Sequence, residues 1–327
     1  MPTFVRTIRR YGTARSSTGH LVASRPDDGW SHGRDRVGVM TDRSLAPTGP
    51  RNGEEWVPGL AALDIDGTIL DHDQRMTERV RKAVRAVAES GIHVVIATGR
   101  SLHETVPVLD RLGLMSGWAV CSNGSVTLRL DPSLERGYEM VDVVTFDAAP
   151  VIGLLRTHLP TALYAVETGG GDFLLTAPFP PGELEGLHTR VVADFDELLA
   201  QQVCRVVVRS PEHTSEDFMK LTHAVGLHGV NYAVGWTAWL DLAPEGVSKA
   251  SALEAVRVRL DVDPARTLAV GDGRNDVEMF EWAGRSVAMG NAVDEVKTAA
   301  DAVALGVLED GLADVLEAVL PGPTEGS

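Results

Sequence analysis

From residue 60 onward, short apolar runs alternate with amphipathic stretches. Residues 60–63 form a four-residue apolar run of strand length. Residues 77–90 carry apolar positions at helical spacing, with Thr77 as N-cap and Gly91 just past the end, which predicts a helix. Residues 92–97 read as the next buried strand. Ser101-x-x-Glu104 then opens a helix with capping-box spacing, in which Pro107 is expected to distort the early turns. Residues 118–122 continue as a strand. Strand, helix, strand, helix in this order predicts a parallel, doubly wound, Rossmann-like sheet.

Between about 125 and 241 the texture changes to hairpin-like pairs: 126–130 with 138–145, then 203–209, then 231–234 with 239–242. Helical stretches at 147–158 and 214–225 separate them. This predicts an α+β insertion with an antiparallel sheet. The βα alternation returns with a helix at 248–260, a strand at 267–270, a helix at 276–283 and a strand at 285–288. The expected organisation is a discontinuous core, 56–124 and 242–320, interrupted by a cap at 125–241 and followed by a tail at 321–327. Residues 1–55 fit neither helical nor strand period and are expected to be a disordered basic extension; a true start at Met40 is an equally good reading.

Charge sharpens that division. The 327 residues carry a formal net charge of −16, which argues against nucleic acid as a partner. Residues 1–53 hold nine Arg, no Lys and four Asp, net +5, so the remainder carries −21. Two cysteines, Cys121 and Cys204, are too few for a disulfide scaffold and have no CxxC spacing for zinc. No apolar run approaches the roughly 20 residues of a membrane span. Arg9-Arg10 lacks the apolar stretch of an export signal, so a cytoplasmic location is expected.

Four short motifs follow predicted core strands, at the carboxyl ends where ligands of open α/β sheets gather. Asp64-Ile65-Asp66-Gly67-Thr68 pairs two carboxylates suited to nucleophile and proton-carrier roles, with Gly67 permitting the turn and Thr68 able to orient its neighbours. Thr98-Gly99-Arg100 precedes a helix, where a hydroxyl and free N–H groups can hold a phosphate oxygen; Asn123-Gly124 follows the next strand in the same way. Lys249 opens a helix, a place already carrying positive partial charge, which an anion nearby would explain. Gly271-Asp272-Gly273-Arg274-Asn275-Asp276 offers two carboxylates four residues apart, suited to a hard cation such as Mg²⁺. Taken alone, each motif is ordinary turn or capping chemistry. Together, Asp64, Asp66, Asp272, Asp276 and Lys249 sum to −3, hostile to a phosphate unless a cation such as Mg²⁺ brings the site to −1.

This ordered set resembles the haloacid dehalogenase-like phosphatases, specifically the Cof-type IIB branch. The likeness runs from about residue 60 to 320 and includes Asp64-x-Asp66-Gly67-Thr68, Thr98-Gly99-Arg100, Ser122-Asn123-Gly124, Gly246-Val247-Ser248-Lys249 and Gly271-Asp272-x-x-Asn275-Asp276-x-x-Met279. It continues through Ala288-Met289-Gly290-Asn291-Ala292 to Glu309-Asp310-Gly311. The resemblance implies an HAD-type α/β core with a type IIB cap and a Mg²⁺-dependent phosphomonoesterase working through an aspartyl-phosphate. In that scheme Asp64 is the nucleophile and Asp66 the acid and base. Mg²⁺ is held by Asp64, Asp66 through its carbonyl, and Asp272, with Asp276 in support. Thr98, Gly99, Lys249 and Asn275 stabilise the phosphoryl oxygens, and Arg100 and Asn123 complete the substrate site.

Only 34 residues separate Asp64 from Thr98, whereas 151 separate Thr98 from Lys249, so the lid must sit in the second interval. Within it, Glu167, Arg205, Arg209, Asn231 and Trp236 are the polar or aromatic residues available to a substrate. The expected substrate is a small phosphorylated metabolite, a sugar phosphate or similar polyol, acted on by a monomer or homodimer. Alternatives are a phosphomannomutase-like sugar phosphomutase and a non-catalytic sugar-phosphate-binding regulator.

Overall fold

A computed structural model of the chain describes residues 56–181, 183–184, 188–225, 230–234 and 239–320. The expected extension at 1–55 and tail at 321–327 lie outside the described residues. The first half runs β1 (Leu60–Leu63), α1 (Glu78–Glu89), β2 (His93–Ala97), α2 (Leu102–Leu112), β3 (Gly117–Cys121), β4 (Val126–Leu130) and β5 (Tyr138–Val143). Then come β6 (Phe146–Asp147), α3 (Ala149–His158), β7 (Leu163–Thr168), β8 (Phe173–Leu175), β9 (Thr189–Val191), α4 (Phe195–Leu199), β10 (Gln202–Arg209), α5 (Ser215–Val225), β11 (Val230–Val234) and β12 (Trp239–Pro244). The chain closes with α6 (Lys249–Arg259), β13 (Thr267–Gly271), α7 (Val277–Trp282), β14 (Arg285–Ala288), α8 (Asp294–Ala299), β15 (Ala302–Val303) and α9 (Gly311–Ala318).

One sheet has the order β15-β14-β13-β1-β2-β3-β4-β5 and is parallel from β15 to β3. Side chains alternate along β1, so Ala61 and Leu63 join one apolar core with Val84, Leu109 and Leu316 from α1, α2 and α9. Leu60 and Ala62 join the opposite core with Leu253 and Val256 of α6 and Phe280 of α7. Both faces are therefore covered, as a buried parallel sheet requires. α1 forms because Thr77 Oγ1 accepts the Val80 N–H at 3.1 Å and because Val80, Ala83, Val84 and Val87 line one face. Burying each of those valines contributes roughly 1.5–3 kcal/mol. α2 begins with the Glu104 carboxylate accepting from the Ser101 N–H at 3.0 Å and runs through Pro107 as one helix.

A second sheet has the order β11-β12-β10-β7-β8-β9, with β6 on β10. It is antiparallel apart from β8 with β9, as expected of the insertion. Its main core gathers Ile152 and Leu155 of α3, Leu198 of α4 and Phe218 of α5 against Val166, Val206 and Leu242. The strand pairing corrects the expected boundary at 125. The hairpin β4–β5 extends the first sheet, because only four residues link β3 to β4 and so short a link returns the chain antiparallel beside the strand it leaves. At the other end β12 belongs wholly to the second sheet and runs past 242.

Candidate active site

The turn after β1 carries the first two aspartates. The Asp64 N–H donates to the Val270 carbonyl at 3.0 Å, which continues the β1–β13 pairing and sets Asp64 beside the turn after β13. Gly67 has φ +76°, and a Cβ there would lie 2.0 Å from Asp272 Oδ2. Only glycine lets the two turns approach this closely.

The site is assembled around Lys249, whose side chain is fully buried. Ser248 caps α6 and turns this lysine inward, so that its Nζ donates to Asp64 Oδ1 at 2.6 Å and to Asp276 Oδ1 at 2.7 Å. Asp276 Oδ2 accepts the N–H groups of Asp272 and Gly273, both at 2.9 Å, so this carboxylate organises the turn that presents Asp272. One carboxylate oxygen from each of Asp64, Asp272 and Asp276 lies within 4.8 Å of the others. Burial, followed by Asp276, pushes the Asp64 carboxyl well above its ordinary range despite Lys249. Burial and Asp276 likewise push Asp272 up to about 7. Burial opposes the charged form of Lys249, but its two carboxylates outweigh burial and raise its pKa.

This crowding of three buried carboxylates around one ammonium is what a divalent metal relieves, and the donors fit one. They are hard oxygens converging from two turns, and the nearby Thr68 hydroxyl is buried without a hydrogen-bond partner. That hydroxyl therefore orients no neighbour through a hydrogen bond, contrary to expectation.

Asp66 and Arg100 pair with each other at the edge of this cluster. The Asp66 side chain is half-exposed and stands outside the three-carboxylate cluster. Arg100 Nε and Nη2 donate to its two oxygens at 2.8 and 2.5 Å, and Nη2 also donates to Gln74 Oε1. Burial would raise the Asp66 carboxyl, but this bidentate guanidinium and Gln74 outweigh it and hold the carboxyl below its ordinary value. Counting Arg100, the local charge is −2 rather than −3. Gln74, at φ +61°, has no sequence signal that links it to the site.

The phosphate-side residues do converge. Thr98 is buried and its Oγ1 accepts the Arg100 N–H at 3.1 Å. Asn275 Nδ2 donates to Asn123 Oδ1 at 2.9 Å, and a Cβ on Gly99 would lie 3.1 Å from that same oxygen. Gly124, at φ +103°, brings this turn against the start of α6, where a Cβ would meet the Ser248 carbonyl at 2.2 Å. Asn291, which belongs to the quoted motifs but had no expected role, donates from Nδ2 to the Gly67 carbonyl and to Asp272 Oδ2, both at 2.9 Å. It thus locks the first and last turns together.

Two residues of the second sheet reach this turn cluster. Arg205 Nη1 donates to the Gly99 carbonyl at 2.8 Å, while its Nε is held by Asp241 at 2.7 Å. Glu167, directly opposite Arg205 across the β7–β10 pairing, accepts from Ser122 Oγ at 2.6 Å. Burial pushes Glu167 up to about 7 against Arg205 and Ser122, and its Oε2 has no hydrogen-bond partner. Arg209 instead pairs with Glu183 at 2.9 Å, and Asn231 Nδ2 donates to the Val247 carbonyl at 2.9 Å. Trp236 lies outside the described residues.

A doubly wound sheet bearing this aspartate, lysine and aspartate constellation defines a phosphotransfer-type hydrolase. The sequence matches the haloacid dehalogenase-like hydrolase family over residues 61–154 and 181–316, and the chain belongs to that family as a phosphoric monoester hydrolase. It is 31% identical over 268 residues to the putative phosphatase YkrA of Bacillus subtilis, covering 78% of this chain and 95% of that one. It is 26% identical over 260 residues to 5-amino-6-(5-phospho-D-ribitylamino)uracil phosphatase YcsE of Bacillus subtilis, covering 79% and 94%. A haloacid dehalogenase-like hydrolase from Bacteroides thetaiotaomicron superposes with a TM-score of 0.65 at 26% identity, over 79% of this chain and 98% of that one. Among the described residues no helix is long and apolar enough to cross a membrane.

Proposed function

We propose that this protein is a Mg²⁺-dependent phosphatase that hydrolyses the phosphate monoester of a small polyhydroxylated metabolite, such as a sugar phosphate, through an aspartyl-phosphate on Asp64. The observation that carries this reading is buried Lys249, at the start of α6, held between Asp64 after β1 and Asp276 after β13, with Asp272 within reach. Asp64 and Asp272, with the Asp66 carbonyl, would hold Mg²⁺, and Asp276 would fix the Asp272 turn. The cation supplies charge neutralisation that lets a phosphate dianion approach and keeps Asp64 ionised.

Asp64 attacks phosphorus as the bond to the leaving oxygen breaks, and Asp66 gives that oxygen a proton. Lys249 occupies Asp64 Oδ1, which leaves Oδ2 for the attack. Thr98, the Gly99 N–H, Lys249 and Asn275 stabilise the equatorial oxygens as charge spreads over them. Asp66 then takes a proton from water, whose oxygen attacks phosphorus and returns Asp64 as carboxylate. Held by Arg100, Asp66 is ionised and suited to that second half; protonating the leaving group requires it to release Arg100. The second sheet, with its first strand at β6, is read as a lid, seated on the turns through Arg205 and Gly99 and through Glu167 and Ser122. Such a lid excludes water and sets substrate choice. Two buried free cysteines accord with a cytoplasmic location.

The test is phosphate release from a panel of phosphorylated sugars, polyols and nucleotide precursors, with Mg²⁺ and with chelator, comparing kcat/KM. The account predicts Mg²⁺-dependent release with one class of small metabolite preferred. Dependence on a hexose bisphosphate with no net release would identify a mutase, and absence of turnover with every substrate, including p-nitrophenyl phosphate, would identify a binding protein.

A further inference from the structure

Outside the carboxylate cluster, a second group of metal-ligating side chains meets where the two sheets adjoin. His103 lies in the first turn of α2, Asp172 in the turn between β7 and β8, and His188 just before β9. One ligand atom from each lies within 4.8 Å of the other two. His188 Nδ1 is 3.2 Å and His103 Nε2 is 3.8 Å from the same oxygen, Asp172 Oδ1. Tetrahedral bonds of 2.0–2.1 Å place neighbouring ligand atoms about 3.3–3.4 Å apart. Two of the three separations therefore stand within about half an ångström of that spacing, and the third lies within 4.8 Å.

Further observations set this group apart from a chance surface cluster. His103 Nε2 is buried and has no hydrogen-bond partner, although a buried imidazole nitrogen ordinarily finds one. Gly171, at φ +88°, is what brings the turn against this ring: a Cβ there would lie 3.1 Å from His103 Cδ2 and 3.2 Å from Nε2. The two imidazoles are tilted at 33° to each other with centroids 4.3 Å apart. Beside the group opens a cavity of about 430 Å³, lined among others by Thr168, Asp172, His188, Arg190 and Gln201, which gives an ion and its remaining water a way in.

We infer that His103, Asp172 and His188 form a second metal site, for a borderline transition ion of the Zn²⁺ type, that fastens the β7–β8 turn of the second sheet to helix α2 of the first. Two nitrogens and one carboxylate favour Zn²⁺, Co²⁺ or Ni²⁺ and disfavour Mg²⁺, which keeps to oxygen. The fourth position is left to water, because Asp172 and His188 are exposed on their outer sides. The site is distinct in ligand chemistry from the three-carboxylate cluster, and it stands whether or not the catalytic proposal does.

The experiment is calorimetric titration of the full chain with Zn²⁺ alone as probe, in saturating Mg²⁺ so that the carboxylate cluster is occupied. His188→Ala is the primary variant because that side chain is 70% exposed and its removal leaves the fold intact; His103→Ala is the second. Expected is one Zn²⁺ per chain that Mg²⁺ does not displace, weakened about 100-fold or more in His188→Ala, since losing even an outer-sphere partner commonly costs 10–100-fold. Hydrogen exchange around 102–105 and 168–173 slows with Zn²⁺ in the wild type and not in His188→Ala. Mg²⁺-supported phosphate release without Zn²⁺ is the same in His188→Ala and wild type. Zn²⁺ binding that survives in His188→Ala, or that is lost in Asp272→Asn instead, overturns the assignment.

Discussion

Asp272→Asn isolates what the carboxylate cluster costs the fold before any metal binds. Asp272 is 7% exposed, and its carboxyl is pushed from an ordinary 3.8 up to about 7 by burial and Asp276. Between those values the folded chain keeps a proton that the unfolded chain has lost, so this group's contribution to stability falls as pH rises from about 4 to 7. At about 1.4 kcal/mol per pH unit, the ionised group costs the folded state roughly 4 kcal/mol above pH 7. The asparagine retains the shape, keeps an acceptor for Asn291 and removes the charge. In urea unfolding with chelator present, Asp272→Asn is therefore expected to be about 2–4 kcal/mol more stable than wild type at pH 8, the gap narrowing to about 1 kcal/mol at pH 4.5. Asp64, also raised, leaves part of the pH slope in the variant. Added Mg²⁺ should close that gap: wild type gains about 4.1 kcal/mol at a thousand times Kd, and the variant does not. A variant less stable than wild type at pH 8 with chelator, or equal stabilisation of both by Mg²⁺, refutes the reasoning.

Lys249→Met removes the ammonium from between two buried carboxylates and is expected to destabilise the metal-free fold by about 3–5 kcal/mol at pH 8. That deficit should shrink in unfolding curves as pH falls and Asp64 takes up a proton; a pH-independent deficit would contradict the pairing. In Gly67→Ala a Cβ must displace Asp272 and adopt φ +76°, so a loss of at least about 1 kcal/mol with weaker Mg²⁺ binding is expected. Asn291→Ala, by freeing Asp272 and the Gly67 carbonyl, should weaken Mg²⁺ binding about 10–100-fold in a calorimetric titration while far-UV circular dichroism stays unchanged.

The parallel sheet and the four turns of the site are legible in the sequence because they are local. Each pairs an apolar run with a turn residue whose conformation or capping role has a short-range signature, as at Gly67 and Thr77. The side chains that lock the turns together are not legible, since their partners are distant in sequence. Asn291 meets Gly67 across 224 positions, and Arg205 meets Gly99 across 106. A rotamer choice decides whether Arg100 faces a phosphate or Asp66, and no spacing encodes it. The β4–β5 hairpin announces its own pairing by pattern, but the sheet it joins depends on the short link from β3. His103, Asp172 and His188 come from three segments and leave no HxH or HExxH trace.

The central claim is that Asp64 carries the phosphoryl group. Its most direct measurement is an acid-quenched reaction with p-nitrophenyl phosphate and Mg²⁺, followed by peptide mass spectrometry. The account predicts a hydroxylamine-labile phosphoryl adduct on the peptide containing Asp64, with adduct and turnover both absent in a folded Asp64→Asn variant. Steady turnover by Asp64→Asn at the wild-type rate, with no phosphoryl adduct in either protein, would contradict it.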